Sequence, residues 1–590
     1  MKEFKIYTIG ILLFIAAMIS TSCKESFLEI TDTESISPTQ FPKTLANVEA
    51  IVASVYGIQH EWFFLGNYWH GYGIFCLDHT ADQVFRQDET WNGIHTGRAL
   101  ASDQKVTNQW NVLNRGVYYA NVALNGIEEY RKIAPSSEKQ RLEFLEGETL
   151  FLRGFYMWHM QVFYGQPNLD GMGIPVVRQL PKDLASMSVP RETTRDSYQA
   201  MINDFKRASV LLKGQSEKSK ATEWSAKAAL AKTYLFAEKN DSARIYLEDC
   251  INNSGKSLVS FEAYKNMFNG DPKYEYNSES FFETGNKADK SSWPFGNPNV
   301  GTSISTLYSP FYVASNDDRQ TTGFNNQYAH DRNLTRFGYN DKPLLTEIEQ
   351  VNGKWQMKES YIAKQNERRA LAGQQADGPD PRLYVSTLQP MFDSIKVSGK
   401  FYKAAQAEFG KWYTLDPTTN QNPNTFYGWC LKKNQYLEGT LPETSYIHGA
   451  NLYFIRLPDI YLMYAEVMKA SNPTLALEYI NKVHRRAYGY NPNAASPVDY
   501  KSLTDKTKAP ADDLLSNNPL LYERWAEFFG EGKWWEDVRR LKLGPQESAF
   551  YKSACAGRLI VWRDEHYAMP IHPLEFESNT HPGMKQNPGY

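Results

Sequence analysis

Gln109 to Arg131, QWNVLNRGVYYANVALNGIEEYR, decides the fold class. Apolar or small residues fall at Trp110, Leu113, Val117, Ala120, Leu124 and Ile127, in alternating steps of three and four. Such steps keep one stripe of a 3.6-residue helix apolar from end to end. Downstream, Leu142, Leu145, Leu152, Tyr156 and Phe163 continue the pattern, and Ser137 and Gln140 are placed as a capping box ahead of it. Further helices are predicted over 198–212, 224–236, 243–251, 459–470 and 475–487. Asn472 and Pro473 suit the start of the last, with proline at the first helical position. The helices come in neighbouring pairs with short links, and each pair leaves an apolar face that the next must cover. The expected fold class is mostly α: tetratricopeptide-like helix pairs forming a scaffold, with long irregular insertions and a few short strands.

Outside these helices the texture changes. Between 257 and 449 Gly, Pro, Asn and Tyr are frequent, as in Trp293-Pro294-Phe295-Gly296-Asn297, and long helical periods vanish. Short strands are expected over 281–283 and 402–404. The stretch 60–98 is similar and holds Trp62, Phe63, Phe64, Tyr68, Trp69, Tyr72, Phe75 and Trp91. Ligand contacts are expected in these two irregular regions, because binding residues favour loops carried on a rigid scaffold. The expected organisation is a signal peptide over 1–22 and one domain over 23–590. That domain divides into an N-terminal helical part (23–256, with the loop 60–98), an irregular ligand-binding part (257–449) and a C-terminal helical part (450–590).

At the N-terminus Lys2 and Lys5 precede an apolar stretch from Ile6 to Ile19, and Ser20-Thr21-Ser22-Cys23 follows. The length and flanks are those of a secretory signal, too short for a membrane span. Small residues running into Cys23 resemble a bacterial lipobox, in which the cysteine becomes lipidated; the alternative is an ordinary signal peptide with an incidental cysteine. Cys76, Cys250, Cys430 and Cys555 are isolated, without the spacing of a metal site or a disulfide framework.

Composition narrows the function classes. The 590 residues are 42% hydrophobic and 22% charged, with a formal net charge of −3, as expected of an ordinary globular chain. There is no basic tract to suggest nucleic acid as a partner. Aromatic content is high, at 14 Trp, 37 Tyr and 31 Phe, and Tyr and Trp suit surfaces that bind partly polar ligands. No HExxH, GxSxG, phosphate-binding glycine loop or EF-hand loop is present. The eleven His are scattered; His566 and His572 read as loop or packing residues. Asn316-Asp317-Asp318 reads as a solvated turn, so structural calcium is unsupported, and neither a metal site nor a cofactor is expected.

Several segments together resemble the SusD/RagB-like family of surface nutrient-binding lipoproteins. They are Phe27-Leu28-Glu29 after Cys23, EGETLFLRGFYMWHMQVFYGQPNLDGMGIP over 146–175, ATEWSAKAALAKTYL over 221–235, and Asp380-Pro381-Arg382-Leu383. RLPDIYLMYAEVMKA over 456–470, ERWAEFFGEGKWWEDVRR over 523–540, and the closing Met569-Pro570-Ile571 with Gln586-Asn587-Pro588-Gly589-Tyr590 complete the series in order. Lys533 stands where the family usually has arginine, and Phe528-Phe529 where leucine is usual. The resemblance implies a non-enzymatic, lipid-anchored protein on the outer membrane, facing the cell exterior. It would bind glycan and deliver it to a SusC-like TonB-dependent outer-membrane barrel. The alternatives are a binder of peptide or another nutrient in the same kind of uptake system, or a lipid-anchored hydrolase.

The residues expected to bind sugar follow from what a pyranose presents: apolar C–H faces and a rim of hydroxyls, answered by aromatic rings and by Asp, Asn and Arg. Asp82, Arg86, Trp91 and Asn92 supply these types in one short run, and Trp293 and Tyr308 are added from the second irregular region. The carboxylates and arginines of 523–540, with Glu466 and Arg456, are read as structural ion pairs at helical spacing.

Overall fold

The computed structural model describes residues 42–61, 64, 100–287, 311–313, 319–321, 329, 331–341, 347–352, 354–372, 378–389, 392–397, 400–403, 429–434, 438–439, 449–552 and 562–590. Its scaffold is a stack of antiparallel helices. α1 (Leu45–Gly57), α2 (Gln104–Arg131), α3 (Lys139–Tyr164), α4 (Thr194–Leu211), α5 (Glu223–Phe236) and α6 (Asn240–Asn253) follow one another, each of α2 to α6 packed on its predecessor. The stripe that begins at Trp110 is buried at Trp110, Leu113, Val117, Ala120 and Ile127, as its spacing requires. α3 is buried almost throughout from Leu145 to Tyr164, because helices cover it on both sides.

Close helix approach is bought with small side chains. A Cβ on Gly154 of α3 would lie 2.7 Å from the Phe205 ring of α4, and one on Gly116 of α2 would lie 2.6 Å from the Tyr156 ring. The Ala-rich α5 buries Ala226, Ala229 and Leu230, and Thr222 with Ser225 forms a capping box at its start. Asn472 caps the helix over Pro473–Ala487 as the sequence indicates, its side chain accepting from the Leu475 amide with Pro473 in the first turn. The Ser137–Gln140 capping box does not form. Ser136–Glu138 is a 3₁₀ turn, Glu138 is the N-cap of α3 without a side-chain bond, and the Lys139 amide bonds to the Ser136 carbonyl. A turn of 3₁₀ satisfies an amide at a helix start that a cap would otherwise serve.

After α6 the chain leaves the stack and returns in α7 (Leu457–Met468), which packs directly on α6. α8 (Pro473–Ala487), α9 (Pro519–Glu527) and α10 (Trp534–Arg540) follow. The excursion is closed at its neck by two short antiparallel strands. β3 (Ser280–Glu283) pairs with β4 (Tyr453–Arg456), Tyr453 opposite Glu283 and Arg456 opposite Ser280. Two earlier strands, β1 (Met172–Pro175) and β2 (Arg191–Thr193), form a ribbon beside α3 and α4. Strands also form over Lys400–Lys403 and Ser394–Val397. The expectation that long helices are absent from 257–449 is corrected by a 13-residue helix over Glu359–Leu371. Only Tyr361 and Gln365 of it are buried, so it carries no apolar stripe for periodicity to reveal.

Buried charge pairs join the excursion to the stack. Arg382, fully buried, bonds Asp380 through Nη2 (2.6 Å) and Glu523 of α9 through Nη1 (2.6 Å) and Nη2 (2.9 Å). His484 Nδ1 and Tyr500 Oη bond the same Glu523 carboxylate at 2.7 and 3.1 Å. Arg456 at the end of β4 bonds Glu527 (2.5 Å), Glu531 (2.7 and 2.9 Å) and Glu279 (3.3 Å). Burial alone would raise the Glu523 carboxyl, but Arg382 and His484 outweigh it and hold it at about 2. Arg456 and Lys433 do the same for Glu531, also at about 2.

Glu523→Ala removes one of the two carboxylates on the buried Arg382 guanidinium and the shared partner of His484 and Tyr500, and is expected to cost about 3–5 kcal/mol in unfolding free energy. Glu129→Ala, which removes an exposed pair with Lys132, should leave the thermal midpoint unchanged. Glu523 and Glu531 titrate lower folded than at their ordinary 4.5. Their stabilising contribution is therefore complete above about pH 4.5 and lost as pH falls towards 2. Denaturant midpoints measured from about pH 6 to about pH 3 should fall most steeply below 4.5.

Candidate functional site

One aromatic cluster on α3 roots both irregular regions. Phe64, the last described residue before 65–99, packs edge-on against Phe155 (6.0 Å between centroids), Tyr156 (5.9 Å) and His159 (5.4 Å). Phe282 of β3, the strand that leads to 288–310, meets Phe155 at 5.7 Å and Phe151 at 4.6 Å. Phe454 of β4 completes the cluster, 4.7 Å from Phe155. The chain beyond β3 is fixed as far as Asn286, whose amide bonds Asn451 Oδ1 (2.7 Å) and whose Nδ2 bonds the Ala450 carbonyl (2.7 Å). On this edge burial pushes the Glu283 carboxyl up to about 7, against hydrogen bonds from Ser280 and Asn451. Burial and then Asp271 push Glu275 to about 7 as well.

Beneath the cluster lies a cavity of about 50 Å³ between α3, α4, α5, β4 and the turn 528–533. Its walls are aromatic at Phe151, Phe155, Phe268 and Phe454 and charged at Lys232, Glu531, Lys533 and Glu536. Burial, with Lys232 adding to it, lowers His159 on the wall to about 3, so this imidazole is neutral at physiological pH.

The predicted sugar-binding residues all lie outside the described residues: Asp82, Arg86, Trp91 and Asn92 in 65–99, and Trp293 and Tyr308 in 288–310. The same holds for Cys23 and for Asn316-Asp317-Asp318. The carboxylates of 523–540 are engaged structurally. Arg524 bonds Asp537 at 2.6 Å, Arg540 bonds Glu466 at 2.5 Å and Asp537 at 2.9 Å, and Arg456 bonds Glu527. His566 and His572 also have structural roles: their Nδ1 atoms accept the amides of Arg563 (2.9 Å) and Leu574 (3.1 Å). Sequence reading did not find the cavity or the cluster. The run FLRGFYMWH of α3 was a visible signal, but its partners on β3 and β4 are over a hundred residues away.

Comparison with known proteins agrees with this architecture. A profile described as starch-binding and associating with the outer membrane matches residues 26–235, and the profile of the SusD family matches residues 266–590. A SusD-like protein of Bacteroides ovatus is 23% identical over 542 residues, covering 88% of this chain and 80% of its own. Among solved structures, a surface glycan-binding protein A of Bacteroides fluxus superposes with a TM-score of 0.61 at 16% identity, covering 93% of this chain and 100% of its own. A laminarin-binding SusD-like protein superposes with a TM-score of 0.60 at 18% identity, with the same coverage of 93% and 100%. The matched segments take in both the helical stack and the excursion with its closing ion pairs, and the chain belongs to the SusD family.

Proposed function

We propose that this protein is a lipid-anchored surface protein that captures glycan and hands it to a SusC-like TonB-dependent outer-membrane barrel, without cleaving it. Family membership carries the reading. Two proteins of the same fold, one laminarin-binding and one a surface glycan-binding protein, support the ligand class. The common root of the two aromatic-rich segments supports it physically: Phe155 touches both the base of 65–99 and the strand leading to 288–310. Rings from those segments, Trp91 and Trp293, would cover sugar faces, with Tyr308 beside them. Asp82, Arg86 and Asn92 would answer the hydroxyls. Anchoring rests on acylation of Cys23 after removal of residues 1–22; several acyl chains on one residue hold a protein stably to a bilayer. Among the described residues no helix is long and apolar enough to cross a membrane.

The rival with an observation behind it is hydrolysis, since carboxyls pushed to about 7, as at Glu275 and Glu283, are the kind a general acid needs. Glu283 is fully buried beneath Tyr453 and Asn451, which favours a structural role. Peptide capture predicts pockets for a backbone in place of an aromatic platform.

A panel of polysaccharides tested by affinity electrophoresis and calorimetry should show saturable binding to one class. Trp91→Ala and Trp293→Ala should each weaken it at least about tenfold, the loss of roughly one ring–sugar contact, with the thermal midpoint unchanged. Peptide binding, or product release abolished by Glu283→Gln, would select a rival. Separately, Cys23→Ala should abolish acyl labelling and move the protein from the membrane fraction to the soluble one.

A further inference from the structure

The cavity under the aromatic cluster holds a feature that neither the fold nor glycan capture requires. Lys533 lines it while only 4% exposed, and its ammonium makes no hydrogen bond. The closest carboxylate oxygen, Asp459 Oδ2, is 3.8 Å away and is itself without a hydrogen bond. Lys232 stands 3.6 Å from the same oxygen. At 3.8 Å Asp459 does not accept a hydrogen bond from the Lys533 amine, so among the described residues the buried ammonium on the cavity wall lacks an acceptor that an oxygen in the cavity would supply. Burial pushes the Lys533 amine down to about 8, and Asp459 and Glu531 offset that only in part.

The rest of the wall says what kind of molecule carries that oxygen. Lys232 and Lys533 are matched by Glu531 and Glu536, so the wall is neutral as it stands. Glu531 is already held by Arg456 and Lys433, and Glu536 by Lys232 and Trp158 Nε1. An anion would add an unmatched buried charge, which is costly. A hydroxyl adds none; it accepts from Lys533 and can donate to a carboxylate of the wall, Glu531 or Glu536. Facing this polar end, Phe155, Phe268 and Phe454 offer an apolar surface to carbon. A volume of about 50 Å³ takes three to five water molecules at about 10–15 Å³ each, or a molecule with a similar number of heavy atoms.

We infer that this cavity is an internal binding site for hydroxyl groups, supplied by a polyol of two or three carbons or by water, with the oxygen accepting from the Lys533 ammonium. The site is separate from the proposed glycan surface and stands whether or not that reading does. It also abuts Phe155 and Phe454, which root both aromatic-rich segments.

Ligand-observed saturation-transfer NMR with propane-1,2-diol tests the polyol on the purified protein. Crystals grown without polyols test water. The expected result is saturable transfer that is lost in Lys533→Met, which removes the donor, and in Ala229→Leu, which fills the cavity from α5. Retained thermal midpoints would show that both variants fold, and glycan affinity is followed independently. Density within hydrogen-bond reach of the Lys533 amine, with no transfer, would assign the hydroxyl to water. Transfer that persists in both variants, or no density at the amine together with no transfer, would overturn the site.

Discussion

The structure depends on buried guanidinium–carboxylate contacts. Arg382, Arg456 and Arg486 are each at most 1% exposed, and their partners Glu279, Glu523 and Glu527 are fully buried. Two charges taken out of water are tolerated only if geometry and extra hydrogen bonds compensate. At Arg382 and Arg456 they do, because each planar guanidinium hydrogen-bonds more than one carboxylate. Arg486 adds one hydrogen bond to Glu527 and lies 3.0 Å from Glu279. Each arginine also draws together segments far apart in sequence. Arg382 belongs to the excursion and Glu523 to α9; Glu279 precedes β3 and Arg486 ends α8. Apolar packing alone is non-directional and would tolerate several ways of laying the excursion on the stack. These directional contacts select one.

That constraint explains how a chain can leave a helical stack for two hundred residues and resume it. α7 can pack on α6 only if the neck of the excursion is held, and the β3–β4 ladder with Arg456 at its end does so. The other end of the molecule is tied in the same way. Arg191 bonds the carbonyls of Tyr164, Gly173 and Lys585, and Asn587 Nδ2 bonds those of Tyr164 and Met569. Residues 562–590 are thereby fastened to the end of α3, the helix whose other face carries the aromatic cluster. The scaffold is stiff where the candidate site is rooted.

Lys533 shows what one departure from a family pattern does inside such a network. Its single ammonium lies over the Phe528 ring at 4.5 Å and reaches Asp459 only at 3.8 Å. The forked, longer guanidinium usual in the family could hydrogen-bond that carboxylate and occupy the space. The departures at Lys533 and at Phe528-Phe529 leave the fold unchanged, and in the structure Lys533 lines the cavity's charged end with the Phe528 ring against its ammonium.

The sequence by itself determined α2 to α8 and their buried stripes, because a repeat of three and four residues has one physical meaning along a local element. It also marked the ion-pairing stretch 523–540 and the two irregular regions, through spacing and composition. Only the tertiary structure decided which charges meet: Arg382 with Glu523, Arg486 with Glu279, and Lys433 with Glu531, pairs separated by up to two hundred residues. It likewise decided that Phe64, Phe155, Phe282 and Phe454 share one cluster, and that a polar-ended cavity lies beneath them. Helical periodicity fixes which face a residue occupies, whereas contacts between distant segments depend on how whole elements pack.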